Sequence, residues 1–227
     1  EDPLIRGALK ESYERCTAKC WSIFSQSSLS LHSDVVDDYL SVLTPLVELC
    51  PDILFLSPIF PTAFSILVGS LRLLNTDTNF RALGIIRAIL GHDCISGTAA
   101  VARPEFPLYA EAISATVQKE GPNLVTNLFA GLLDHFAPEM MSGVITTVRI
   151  LTQVWTTSMQ QWVPAVLEQL PVSSSLEPAK VKFINDFNGQ CKYSALASAD
   201  LDKLKPAIST LQRSVLRAKD RRRPIDR

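Results

Sequence analysis

Apolar residues recur along most of this chain at steps of three and four, the period of an amphipathic helix. No stretch alternates convincingly, as a half-buried strand would. The pattern predicts a first helix from about Pro3 to Phe24, with Leu9, Tyr13, Cys16, Cys20 and Phe24 on one side. A second follows Ser33 or Asp34, either a good N-cap, and carries Val36, Tyr39, Leu40, Leu43, Val47 and Cys50. Pro45 lies inside it and should bend it.

The stretch CPDILFLSPIFPTAFSILVGS is strongly apolar but holds Pro51, Pro58 and Pro61. Proline cannot donate to a sheet ladder, whereas it fits the first turn of a helix. Here Pro51 is expected to stop one helix, Ser57 to cap a third, and Pro58 to open it, with its end near Leu74. A fourth helix is expected after Asp77 as N-cap, ending at Gly91, with Phe80, Leu83, Ile86 and Leu90 apolar. The stretch HDCISGTAAVARP reads as a loop. A fifth helix should run from about Phe106 to Glu120, where Gly121 and Pro122 end it, and a sixth from Pro122 to about Phe136. A seventh opens at Pro138, and an eighth covers roughly Ser158 to Leu170 with Pro164 inside. A ninth spans about Pro178 to Gly189, and a last one starts near Ser198, with a kink at Pro206.

Pairs of these helices repeat about every 40 to 45 residues, the step of HEAT and armadillo units. No helix is polar enough on its outer side to stand alone, so each pair must bury its apolar face on its neighbours. The expected fold is all-α: a right-handed α–α superhelix of four HEAT-type pairs over residues 1–170, with capping helices and a basic tail over 171–227. Arg81, Arg87 and the TVRIL stretch fit the basic residue common within such repeats. A compact bundle without repeat order is the other arrangement of these helices.

Composition agrees with a packed helical chain. Of 227 residues, 47 % are hydrophobic, and 14 prolines stand against 9 glycines, a poor balance for hairpins. No apolar run is long enough to span a bilayer, and no signal peptide opens the sequence. The opening EDPLIRGALKESYERC reads as the start of a fragment or of an ordered part. Cys16, Cys20, Cys50, Cys94 and Cys191 are scattered and odd in number, which suits reduced thiols of the cytosol or nucleus. Charge is uneven: residues 213–227 carry +5, while residues 1–212 carry −6. An acidic body suits basic partners and argues against nucleic acid.

Chemistry-bearing motifs are sparse. Walker, G-x-G-x-x-G, G-x-S-x-G and H-E-x-x-H patterns are all missing. His92 and Cys94 stand too close in sequence to be expected to orient each other as base and nucleophile. Cys16 and Cys20 share a helix face and could hold a metal, but without a second ligand pair they read as small core residues. Asp34, Asp37 and Asp38 either complement a helix dipole or form an acidic patch for Arg- or Lys-rich partners. The DRRR run at 220–223 is either solvated or a contact for an acidic partner, and Met140, Met141, Trp155 and Trp162 read as packing. No catalytic, cofactor or metal residues are assigned, and no enzyme activity is expected.

One long stretch, DVVDDYLSVLTPLVELCPDILFLSPIFPTAFSILVGSLRLLNTDTNFRALGIIRAIL, resembles the C-terminal HEAT repeats of the transportin-SR branch of the importin-β family. The likeness continues through NLVTNLFAGLLDHFAPEMMSGVITTVRILTQVW and WVPAVLEQLP, covers residues 1 to about 170, and is looser beyond. It implies the last four or five repeats of a nuclear import receptor that shuttles between cytoplasm and nucleus. Such a receptor carries protein cargo, here RS-domain splicing or RNA-binding proteins, past nucleoporins, and RanGTP on upstream repeats releases it. The arginine-rich cargo helix of that branch has no counterpart here, so none of its residues is carried over.

Family order places even-numbered helices on the concave face, which would then carry Asp37, Asp38, Glu48, Arg81, Arg87, Asn127, Asp134, Gln161 and Glu168. In the last helix, Ile208, Leu211, Val215 and Leu216 should pack inward. Arg213, Arg217, Arg221 and Arg222 should point outward as tail contacts. The competing reading is a HEAT-type interaction scaffold that works without Ran.

Overall fold

A computed structural model describes residues 2–97, 103–169, 176–193 and 204–220, and all regular structure among them is helical, with no strand. The eleven α-helices are α1 (Pro3–Phe24), α2 (Ser33–Leu49), α3 (Pro51–Phe55), α4 (Phe60–Ser70), α5 (Thr76–Leu90), α6 (Asp93–Ser96), α7 (Phe106–Asp134), α8 (Met141–Val154), α9 (Thr156–Glu168), α10 (Glu177–Tyr193) and α11 (Leu204–Asp220). Short 3₁₀ turns, Leu29–His32 and Pro138–Met140, lead into α2 and α8.

Local chemistry explains most starts. Asp2 caps α1 through the N–H of Leu4, and Asn75 caps α5 by accepting from the N–H groups of Asp77 and Thr78 at 2.9 and 3.2 Å. Asp77, expected as that cap, lies within the first turn instead, where its charge favours the helix dipole. Ser33 and Asp34 are likewise inside α2, because the preceding 3₁₀ turn already directs the backbone into the helix and Ser28 caps that turn.

The proline-rich stretch departs from expectation in a second way. Pro51 does not merely stop a helix; it is the first residue of the one-turn α3. Pro61, not Pro58, stands in the first turn of the next helix, α4. Ser57 sits in the turn between them and donates its hydroxyl to the Glu14 carboxylate at 2.7 Å, which ties this turn to α1.

The largest correction concerns Gly121 and Pro122. Instead of ending a helix, they lie inside the 29-residue α7. Pro122 removes one N–H and with it the bond to the Gln118 carbonyl. Pro122 and Gln118 are both exposed, so water can serve that carbonyl. Gly121 is buried directly under the Trp162 ring of α9, where any Cβ would collide. Pro206, expected to kink the last helix, is the third residue of α11 and needs no intrahelical partner for its nitrogen. Within the expected loop at 92–104, residues 93–96 form the single turn α6.

Packing follows the chain in order. Helices α1 and α2, α4 and α5, and α7 and α8 touch as sequential pairs. Across pairs, α2 packs on α5 and α5 on α8, while α1 packs on α4 and α4 on α7. Helix α9 then packs on α7 and α8, α10 on α9, and α11 on α10 and α7. One continuous hydrophobic core runs between these elements, from Tyr13 through Leu40, Phe64, Ile86, Leu128 and Val148 to Phe187 and Leu211.

The α2–α5–α8 succession has a common register. The third and tenth residues of each helix are Val35 and Val42, Thr78 and Ile85, and Gly143 and Ile150. In α5 this row faces α2: Thr78 donates to the Asp37 carboxylate at 3.0 Å, and Ile85 lies beside Val47. In α8 the row faces α5: a Cβ on Gly143 would stand 3.0 Å from Leu83, and Ile150 reaches Gly91 at the end of α5.

The end of α4 is held by its neighbours. Its last carbonyls have no intrahelical partner. Asn127 of α7 donates to the Val68 carbonyl at 2.8 Å, and His135 Nε2 donates to that of Leu71 at 3.0 Å. From α5, Asn79 donates to the Leu73 carbonyl at 2.8 Å.

Candidate functional site

The expected concave residues are spread over helices that do not belong to one succession. Asp37, Asp38 and Glu48 stand on α2, and Arg81 and Arg87 on α5. Asp134 ends α7, and Gln161 and Glu168 are on α9, helices outside the α2–α5–α8 succession. Because Gly121 and Pro122 lie inside α7, two expected helices are one, and the helix that follows α2 and α5 in the succession is α8, which corresponds to the expected seventh helix and not to an even-numbered one. Asn127 is buried and spent on the Val68 carbonyl, so it is a fastener and not a surface group. Asp38, Glu48, Arg81, Arg87, Asp134, Gln161 and Glu168 are exposed, and Asp37 is half-buried.

What the fold does assemble is a groove between α2 and α5 of about 280 Å³, lined by Val47, Glu48, Arg81, Gly84, Ile85 and Ala88. Its opening follows from small residues: Gly84 and Ala88 are four apart on α5 and leave space that a larger side chain would fill. A Cβ at Gly84 would meet nothing within 4 Å. Val47 and Ile85 are buried and give the groove an apolar floor. Arg81 is bound to α2, donating to the Asp37 carbonyl at 3.3 Å and to the Ser41 hydroxyl. Its position is thereby fixed at one end of the groove, while Glu48 stands at the rim. Along α2 there are four acidic residues and no Lys or Arg. Asp34, Asp38 and Glu48 have no ion pair among the described residues.

A second apolar groove, about 340 Å³, lies between the α3–α4 turn and α7, with Phe55, Pro58, Phe60, Pro61, Ala112 and Lys119 around it. It is on the α4–α7 side of the molecule.

His92 and Cys94 lie in contact at the start of α6. The Cys94 N–H donates to His92 Nδ1 at 3.2 Å, and the thiol sulfur is 3.1 Å from the same nitrogen. His92 is the N-cap of α6, and a cap reaches two residues ahead, which brings the pair together. The chemistry is nevertheless quiet. Burial pushes the Cys94 thiol up to about 11 and holds the imidazole below its ordinary value, so neither the thiolate nor the imidazolium is favoured. Phe55, Phe106 and Tyr109 surround the ring edge to face.

Cys20 is buried with its thiol pushed up to about 11, first by burial and then by Cys16. Among the described residues no group of three His, Cys, Asp or Glu could hold a metal ion. No helix among them is long and apolar enough to cross a membrane. Arg213 and Arg217 are exposed on α11, while Ile208, Leu211 and Val215 are buried against α10 and α7. Arg221 and Arg222 lie outside the described residues, as does the Leu216 side chain. No known family model matches the chain, and no curated protein matches it.

Proposed function

We propose that this chain is the C-terminal part of a nuclear transport receptor of the importin-β type, built as a HEAT-repeat solenoid. It carries protein cargo, with RS-domain splicing and RNA-binding proteins the class the sequence resemblance names. The observation that carries this reading is the shared register of α2, α5 and α8, in which each helix covers the same row of the next. A solenoid is the architecture in which equivalent helices contact only their neighbours in sequence. In this reading the pairs are α1–α2, α4–α5 and α7–α8, with α9, α10 and α11 closing the end.

The equivalent row on α2 supports the same conclusion. Val35 is partly buried against the core, but Val42 is 41 % exposed and Leu49, seven residues further on, 73 %, which leaves that end of α2 open to a further helix pair. In the intact receptor those upstream repeats bind RanGTP, the outer helices meet nucleoporins, and the protein shuttles between cytoplasm and nucleus.

The test is capture of RS-domain proteins by the full-length receptor with and without GTP-bound Ran. Capture that GTP-bound Ran reverses is the expected result. Capture indifferent to Ran would replace transport with a scaffold role, and absence of capture would remove RS-domain proteins as the cargo class.

A further inference from the structure

Helices α1 and α2 carry matching rows on the side turned away from the rest of the molecule. On α1 the row is Leu9, Ser12, Cys16, Lys19 and Ile23; on α2 it is Val35, Asp38, Val42, Pro45 and Leu49. Both recur at steps of three and four, so each forms one stripe along its helix. Other faces meet the neighbours: Glu14 of α1 accepts from Ser57 in the α3–α4 turn, while Asp37 and Ser41 of α2 are bonded to α5. Cys16, Ile23 and Val35 are half-buried, and the other seven residues of the two rows are exposed.

Two contacts fix how the rows lie beside each other. The Thr17 and Tyr39 hydroxyls are 3.0 Å apart, and Arg6 pairs with Asp52 at the start of α3. The two helices therefore run antiparallel, and numbers fall along α2 as they rise along α1. On that count Leu9 is level with Leu49, Ser12 with Pro45, Cys16 with Val42, Lys19 with Asp38, and Ile23 with Val35. Apolar residues stand level with apolar ones, and the one cation with the one anion of the two rows. Lys10 and Arg15 pair with Glu14 and Glu11 on their own helix, whereas Lys19 and Asp38 have no ion pair among the described residues.

We infer that this face binds a second copy of the chain, in a closed two-fold dimer whose interface is a four-helix bundle of both α1–α2 pairs. A two-fold axis parallel to the helices lays α1 of one copy over α2 of the other without changing level. Leu9 then meets the partner's Leu49, Cys16 the partner's Val42, and Lys19 the partner's Asp38, each contact made twice. Rows spaced by three and four residues interlock at the shallow crossing angle of such bundles. The second copy supplies the helix pair for which α2 is open. An upstream pair in a longer chain would compete for the same face, so the test uses the 227-residue chain alone. Neither Ran nor cargo enters it, and the dimer and the receptor reading can fail separately.

Sedimentation velocity over a range of concentrations would follow the pairing. The chain should pass from monomer to a particle of twice its mass. Val42→Glu, a charge at a covered apolar position, should weaken pairing about ten-fold or more. Lys19→Asp and Asp38→Lys each set like charges opposite one another twice, and should weaken it by about the same factor. Combined, they restore opposite charges and should bring pairing back to within about three-fold of the parent. All three positions are exposed in the single chain, so melting of dilute samples should stay unchanged. A monomer at every concentration would overturn the proposal. So would pairing indifferent to Val42→Glu, or charge reversals that add instead of cancelling. Mass that keeps growing beyond two copies would overturn the closed two-fold arrangement.

Discussion

Asn127, in the last third of α7, donates its side-chain amide to the carbonyl of Val68 near the end of α4, 2.8 Å away. Residues 59 apart in sequence are joined by one bond, and that bond satisfies a carbonyl that α4 cannot satisfy itself. An unpaired buried carbonyl is expensive, so the contact fixes how α7 lies across α4.

Replacing Asn127 by leucine should therefore destabilise the protein by about 1 to 3 kcal/mol, the cost of stranding a buried acceptor. Urea titration would read this as a lower midpoint with an unchanged slope. A variant as stable as the parent would mean that Val68 finds another donor.

Gly121→Ala places a methyl group against the Trp162 ring. Either the ring moves or α9 shifts from α7, and overpacking of this kind costs about 1 to 3 kcal/mol. Indole fluorescence should change together with the lowered melting temperature. The glycine is retained here for close approach, although it weakens the middle of a long helix.

The two sides of α11 should respond differently. Leu211 is buried against the preceding helices, and Leu211→Ala should cost about 2 to 5 kcal/mol. Arg213→Glu and Arg217→Glu, both on exposed positions, should change stability by about 0.5 kcal/mol or less. Paired thermal melts of the three variants would check the contrast, and equal losses would show that α11 is not a cap.

His92 makes stability depend on pH in a defined direction. Its folded-state pKa lies below the ordinary 6.5, because burial opposes the charged ring, Arg103 adds to that, and Asp93 opposes it. The unfolded chain therefore takes up the proton first. Stability is full above about pH 6.5 and is lost as pH falls below it. His92→Gln should flatten this part of the pH–stability curve. The same pocket protects Cys94: with its thiol at about 11, against an ordinary 9.0, alkylation near pH 8 should run about 100-fold slower than for a free thiol. Mass spectrometry of timed iodoacetamide reactions would measure it, and rapid labelling would show an activated cysteine.

Helix periodicity alone determined the all-α character of the described residues, and it placed α1, α2, α5 and α9 within a few residues, since apolar positions recur there at helical spacing and the neighbouring stretches are ordinary. Tertiary structure decided the rest. Proline and glycine together usually end a helix, but at Gly121–Pro122 burial against Trp162 outweighs the local preference. That single override changes which helices pair. It separates Asp134, Gln161 and Glu168 from Glu48 and Arg81, and turns Asn127 from a surface expectation into a buried fastener. The α2–α5 groove was hidden for a related reason. Glu48, Gly84 and Ala88 are ordinary helix-face residues in sequence, and only the packing of two helices, 43 residues apart at their starts, leaves space between them. Periodicity reports which side of a helix is apolar; it does not report which helix that side will meet.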